Sequence, residues 1–209
     1  MNGIVLPKVE SYMYGLLPQR DQVLSDIETM AASRGIPIIG PAVGRVLFLL
    51  AKLIYAKHIF EMGSAVGYST IWLARGAGEK GIVYYTDTDE ENARQAEAYF
   101  KRAGVSDQVR LLIGDALYLI DTIEGDFDLI FNDVHKDQYP EVFAKAYPRL
   151  RRGGLLVSDN VLWYGRVAKG NRDAATEAVR EFNRLIYSTD DLFTTILPIR
   201  DGISVSLRL

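Results

Sequence analysis

Between residues 58 and 160 the chain alternates short apolar runs with longer segments whose apolar positions recur at helical spacing. HIFEMG reads as a strand, YSTIWLARGA as a helix ending in glycine, GIVYYTD as a strand and DEENARQAEAYFKRAG as an amphipathic helix capped at Gly104. QVRLLIGD, DFDLIFND and GLLVSDN continue the strands, with ALYLIDTI and YPEVFAKAYPRLRRG as the helices between them. Five strands alternating with helices predict an α/β fold with a parallel sheet covered on both faces. Upstream, residues 8 to 34 place Val23, Ile27, Met30 and Ala31 at helical spacing; Pro18 begins a turn or a helix there, and Gly35-Ile36-Pro37 stops the run. GRVLFLLAKLIYAK, residues 44 to 57, is too long and too apolar for a strand and predicts a buried helix. After Asn160 a polar loop leads to the helix DAATEAVREFNRLIYS. FTTILPI and GISVSLRL then read as an antiparallel hairpin across Arg200-Asp201-Gly202.

Composition narrows what such a sheet can do. With 209 residues, 48% of them hydrophobic, the chain can bury one full core. The expected organisation is one domain: N-terminal helices over 1–57, a βα core that binds a cofactor over 58–160, and a C-terminal helix and hairpin over 161–209. A net charge of -3, from 24 basic and 27 acidic residues, gives no reason to expect nucleic acid or an anionic membrane as partner. The absence of cysteine excludes a disulfide framework, a thiolate metal site and a cysteine nucleophile. No signal-like segment and no run of about 18 apolar residues is present, so a soluble, cytoplasmic protein with a small-molecule partner is expected.

The turn FEMGSAVGYST, between the first strand and its helix, lies at a cofactor corner of such a sheet. A dinucleotide site wants GxGxxG, but the three positions here hold Gly63, Ala65 and Tyr68. What stands instead is Glu61, Gly63 and Gly67, an ExGxxxG pattern similar to the first motif of class I S-adenosylmethionine-dependent methyltransferases. A plain tight turn needing positive φ is the alternative. Asp87 ends the second strand 24 residues after Gly63, close to the ~20-residue offset at which a carboxylate accepts from ribose hydroxyls. Asp89 reads as the N-cap of the next helix, and Gly114-Asp115-Ala116 ends the third strand at the same edge, where it could meet an adenine.

The fourth strand ends in Asp133 and the fifth in Asp159 and Asn160, which parallel neighbours would bring to one edge. If strand order reverses between the first and fourth strands, that edge also faces the Gly63 turn. Two aspartates and an asparagine are hard oxygen donors suited to Mg²⁺, or to Ca²⁺ or Mn²⁺, with positions left open for water and a substrate diol. Lys136 follows three residues after Asp133. Beside a divalent cation and a sulfonium its ammonium is disfavoured, which would let it serve as a general base. The alternative is a surface lysine paired with Asp133 or Asp137.

FEMGSAVGYSTIWLA, YYTDTDEENARQA, FDLIFNDVHKDQY and RRGGLLVSDNVLWYG, in this order and spacing, resemble the catechol and caffeoyl-CoA O-methyltransferase-like family, and the likeness runs from SYMYGLLPQRD to IRDGISVS. The resemblance implies a Rossmann-like, seven-stranded, mostly parallel sheet with an antiparallel C-terminal strand, in a homodimer. It implies that Glu61, Gly63, Ser64, Ser69, Asp87 and Ala116 surround S-adenosylmethionine, that Asp133, Asp159 and Asn160 bind a divalent metal, and that Lys136 is the base. The implied activity is metal-dependent methyl transfer to a small aromatic diol. Several positions depart from the family. His135 stands in Asp133-Val134-His135-Lys136 where relatives often have DADK, Val43 stands where they often have glutamate, and TTILPIRDG lacks the glutamate that catechol enzymes bring to the second phenol oxygen. These departures turn the expectation from catechol itself toward another vicinal diol or a conjugate of one. Trp163 and Tyr164 could wall an aromatic acceptor or pack in the core. The rival readings are a nicotinamide-dependent oxidoreductase on the same sheet and a non-catalytic module that keeps the cofactor pocket.

Overall fold

The structure, a computed structural model, describes residues 4–209. Three helices precede the sheet: α1 (Pro7–Gly15), α2 (Gln22–Arg34) and α3 (Gly40–Leu53). The start of α2 is set by Asp21, whose carboxylate accepts from the N–H groups of Val23 and Leu24, so Pro18 lies in the coil before it. Its end is set by Gly35 at φ 68°. α3 begins four residues before the expected start, with Pro41 in its first turn, and it is buried on one face only. Val43, Leu47 and Ala51 point inward while Leu49 and Leu53 are exposed, so the expected buried helix is buried along one face.

The sheet is built from β1 (His58–Met62), β2 (Ile82–Asp87), β3 (Val109–Ile113), β4 (Phe127–Asn132), β5 (Leu150–Ser158), β6 (Leu192–Leu197) and β7 (Ile203–Arg208). Its order is β3-β2-β1-β4-β5-β7-β6. The first five strands pair in parallel, and β7 runs antiparallel to both β5 and β6. The sequence-based expectation of a mostly parallel seven-stranded sheet with an antiparallel C-terminal strand therefore holds. Order reverses at β1, which pairs with β2 on one side and β4 on the other, and this opens a crevice at the carboxyl edge.

The helices α4 (Tyr68–Ala77), α5 (Glu90–Ala103), α6 (Ala116–Leu119), α7 (Tyr139–Ala146) and α8 (Ala174–Ser188) cover both faces of the sheet. Alternation from Leu129 to Phe131 along β4 divides the core: Leu129 and Phe131 pack with Ile59, Val83 and the helices α2 to α5, whereas Ile130 packs with Phe60, Leu156 and the side of α7 and α8, where Phe127, before the register irregularity, joins it. α3 and α4 approach through two glycines. A Cβ at Gly44 would lie 2.4 Å from the Trp72 indole nitrogen, and one at Gly76 would lie 2.9 Å from the Phe48 carbonyl oxygen.

One element departs from the periodicity reading. The helix expected over YPEVFAKAYPRLRRG stops at Ala146 and gives way to a tight turn at 147–149, and Leu150 to Gly153 belong to β5. Pro148 lacks the N–H a further helical turn needs. The register then slips: Phe127 pairs with Leu150 but Leu129 with Leu155, and Gly153 sits at φ 75° inside this excursion.

Gly67 couples the first turn to this packing. It lies at φ 80°, and a Cβ there would sit 2.5 Å from the Phe100 ring. Gly67→Ala is expected to lower stability by about 2–4 kcal/mol through combined backbone strain and overpacking, read as a fall in the urea midpoint at unchanged slope.

Candidate active site

β1 leaves the sheet at Gly63, which has φ 83°. A Cβ here would lie 2.8 Å from the carbonyl oxygen of Asp133 and 3.2 Å from the nitrogen of Val134, so only glycine lets this turn lie against the end of β4. The Asp133 N–H donates to the Met62 carbonyl at 2.9 Å and fixes the approach. On the other side Ser64 N–H donates to the Thr86 carbonyl at 2.9 Å, and Ala65 N–H to Asp87 Oδ2 at 2.9 Å. Asp87 Oδ1 accepts from Asp89 N–H at 2.8 Å and from Asn92 Nδ2 at 3.3 Å. The Asp87 carboxylate thus braces the turn as well as facing the crevice. Asp89 caps α5, as expected, by accepting from Glu91 N–H.

A cavity of about 650 Å³ runs along this edge. Of the residues singled out from sequence, Gly63, Asp87, Ala116, Asp133, Lys136, Asp159 and Asn160 line it. Glu61, Ser64 and Ser69 do not line it and are all buried, Glu61 completely. The Thr70 hydroxyl donates to Glu61 Oε2, while Oε1 is buried without a hydrogen-bond partner. Burial raises the Glu61 carboxyl to about 7, against the opposing pull of the Ser69, Thr70 and Ser64 hydroxyls nearby.

The ends of β4 and β5 bring two acids into one space. Asp159 is raised to about 7, first by burial and then by the charge of Asp133, with the Asn160 N–H opposing at 2.9 Å from Oδ1. Asp133 is also raised by burial, opposed by Lys136 and then Arg200. Lys136 Nζ donates to Asp133 Oδ1 at 2.9 Å and to the Val134 carbonyl at 3.1 Å, and lies 5.0 Å from the centroid of the Tyr139 ring. Its side chain is only 10% exposed, so the reading of a surface lysine fails while the expected pairing with Asp133 holds. Tyr139, fully buried, donates its hydroxyl to the Asp159 carbonyl at 2.7 Å and anchors the end of β5. Among the described residues no three His, Cys, Asp or Glu side chains form a metal-holding group. The third donor of the expected set is the amide of Asn160. The chemistry still suits a hard cation: two carboxylates that raise each other's proton affinity share one cavity with an amide oxygen.

Strain gathers at the same place. Six described residues other than glycine have positive φ, and five of them, Ala65, Asn160, Trp163, Tyr164 and Arg200, line this cavity. Trp163 and Tyr164 line the cavity, and Trp163 also packs against the core. His135 is an exposed loop residue on the rim. Arg200 and Asp201 were not singled out from sequence as site residues. One Asp201 oxygen accepts from Tyr164 N–H and the other is buried without a partner, so this acid holds the loop after β5. The sequence signal was present in the Arg-Asp-Gly turn, but nothing local showed that it folds back on residues 161–164.

An O-methyltransferase family model matches residues 20–209. The catechol O-methyltransferase of Niastella koreensis is 35% identical over 204 residues, covering 94% of this chain and 92% of that protein. Among solved structures, the O-methyltransferase from Bacillus cereus in complex with SAH superposes with a TM-score of 0.87 at 29% identity, covering 97% of each chain. The O-methyltransferase TomG from Streptomyces achromogenes in complex with SAM, involved in tomaymycin synthesis, gives 0.87 at 30% identity and 96% of each chain.

Glu61 supplies a pH test. Its carboxyl is about 4.5 when unfolded and about 7 when folded, so its contribution is fully present below about pH 4.5 and is lost as pH rises through 7. The loss is of order 3 kcal/mol. Glu61→Gln is expected to gain stability relative to the parent chain between pH 5 and pH 8, measured by urea unfolding of the cofactor-free protein; a pH-independent difference would refute the buried acid as its source.

Proposed function

The chain belongs to the O-methyltransferase family and is an S-adenosylmethionine-dependent methyltransferase, and from that premise we propose that it methylates a hydroxyl of a small aromatic vicinal diol, or of a conjugate of one, in a divalent-metal-dependent reaction. The observation that carries this reading is the meeting of Asp133 and Asp159, from adjacent strands, in the cavity that also contains the Gly63 turn.

In this reading Gly63, Asp87 and Ala116 face the cofactor, with Asp87 toward its ribose, and Ser64, Ser69 and Glu61 complete its surroundings at the base of the turn. Asp133, Asp159 and Asn160 hold the cation, Mg²⁺ by preference, with Ca²⁺ or Mn²⁺ suited to the same oxygen set. When bound, the cation would hold the diol oxygens and lower the proton affinity of a hydroxyl. Lys136 would take the hydroxyl proton at Nζ as the neutral amine, released from its ion pair when Asp133 engages the cation, and the Val134 carbonyl holds that nitrogen at the cavity. The acceptor oxygen then forms its bond to the methyl carbon in line with the breaking carbon–sulfur bond. Trp163 and Tyr164 restrict the ring to one slot, and this alignment can contribute up to ~7 to 11 kcal/mol.

The exposed Leu6, Tyr12 and Leu16 along α1, with Leu49 and Leu53 on α3, offer apolar surface that a second copy would cover in a homodimer. No helix among the described residues is long and apolar enough to cross a membrane, and the lack of cysteine suits a cytoplasmic setting.

With a panel of aromatic diols, methyl transfer is expected to need Mg²⁺ and to stop with chelator. Asp133→Ala and Asp159→Ala should abolish the metal response with the circular dichroism spectrum unchanged. Lys136→Met should lower turnover by ~10²–10⁴ with little change in cofactor binding. Full activity of either aspartate variant in chelator would refute the metal role.

A further inference from the structure

Arg200 stands apart from the machinery just described. It sits in the turn between β6 and β7, and because β6 runs in the direction of β5 this turn lies at the same sheet edge as Asp133 and Asp159. Seen from the Gly63 turn it is on the far side of Asp159, beyond β5, where an acceptor and not the cofactor would lie. Together with Ile38, Trp163 and Tyr164 it lines the cavity.

Three features of Arg200 call for an explanation. Its backbone is at φ 52°, a conformation that glycine adopts freely and an arginine adopts at a cost. A turn needing only the bend would carry glycine, as the next-but-one position does at Gly202 with φ 83°. The guanidinium is held in place: Nη1 donates to the Ile38 carbonyl at 2.8 Å and lies 3.6 Å from where a Cβ on Gly40 would stand. Among the described residues no carboxylate lies within ion-pair distance of it, whereas Lys136, another cation of the cavity, is paired with Asp133. The first turn of α3 beside it contains no acidic residue. A guanidinium has five N–H donors, and the single bond to Ile38 leaves four without an acceptor among the described residues. Its field reaches the acid pair, since it lowers the proton affinity of both Asp133 and Asp159.

We propose that Arg200 is a specificity-determining residue that binds a carboxylate on the methyl acceptor, so that the preferred substrates are aromatic diols bearing an acid group on the side of the ring away from the hydroxyls. The planar fork of the guanidinium accepts a carboxylate through two parallel hydrogen bonds, and anchoring through Ile38 presets its orientation. A cavity lined by Asp87, Asp133, Asp159 and Asp115 would otherwise repel such an acceptor. Backbone strain at a cavity residue is then retained for recognition and not for the turn.

This inference rests on the diol reading for its turnover assay but not for its binding assay. Comparing 3,4-dihydroxybenzoate with uncharged catechol, the parent protein should show a kcat/KM ratio of about 10- to 100-fold in favour of the acid, the range expected of a charged hydrogen bond. Arg200→Gly removes the side chain while suiting the backbone, so it should fold, and the ratio should collapse to within about twofold of unity. Arg200→Lys, which keeps the charge without the fork, should retain part of the preference. A ratio near unity in the parent, or one that survives in Arg200→Gly, overturns the proposal. If no diol is methylated, the diol reading fails and calorimetry decides for Arg200: benzoate, titrated with S-adenosylhomocysteine present, should bind the parent and not Arg200→Gly. Equal binding, or none to either, overturns it.

Discussion

Two carboxylates brought to one cavity, Asp159 buried and Asp133 partly exposed, impose the demand that organises the carboxyl edge of this sheet. Asp133 and Asp159 end adjacent strands, so parallel pairing of β4 with β5 leaves them no means of separating. Each makes the other harder to ionise, and the surrounding groups offset that repulsion from several elements at once. Lys136 reaches back from the turn after β4, the Asn160 N–H caps Asp159, and the Tyr139 hydroxyl pins the carbonyl behind it. The left-handed conformations at Asn160, Trp163 and Tyr164 belong to the same arrangement, because the loop that must wrap this centre is not free to adopt its preferred angles.

Much of this was legible in the chain because parallel strands announce themselves as apolar runs with polar residues at one end. Once DLIFND and GLLVSDN are read as neighbours, Asp133, Asp159 and Asn160 follow. Gly63 was legible too, although the sequence could not show that its missing side chain makes room for the Asp133 carbonyl specifically. Glu61 marks the boundary of such reading. The motif placed it in the cofactor turn, and the direction of a side chain on β1 is a matter of the pleat and of what covers that face; it points into protein, against Thr70, and not into the cavity. The end of α7 was lost for a different reason. Apolar spacing continues past Ala146, but Pro148 removes a donor and the slipped register with β4 takes over residues that would otherwise continue a helical pattern.

The comparisons divide along the same line. Cofactor-bound relatives cover nearly the whole chain at a TM-score of 0.87, which fits a core dictated by sheet order and by the Gly63 turn. The side of the cavity away from the Gly63 turn is assembled from pieces far apart in sequence: residues 37–38 before α3, the loop after β5 and the turn after β6. Asp201 and Arg200 join these pieces, one through Tyr164 and the other through Ile38. Contacts of this kind have no periodicity and no spacing rule, so they become visible only when the sheet is assembled. Identity of about 30% is compatible with a shared core and an acceptor wall particular to this chain.

The insertion of β7 between β5 and β6 has a bearing on biogenesis. A ribosome delivers β7 after every other strand, yet β6 has no partner in the sheet except β7, and β5 pairs on that side with nothing else. Until β7 is translated, β5 therefore presents an open edge next to Asp159. Whatever guards that edge during synthesis acts on the strand that delivers Asp159 to the cavity.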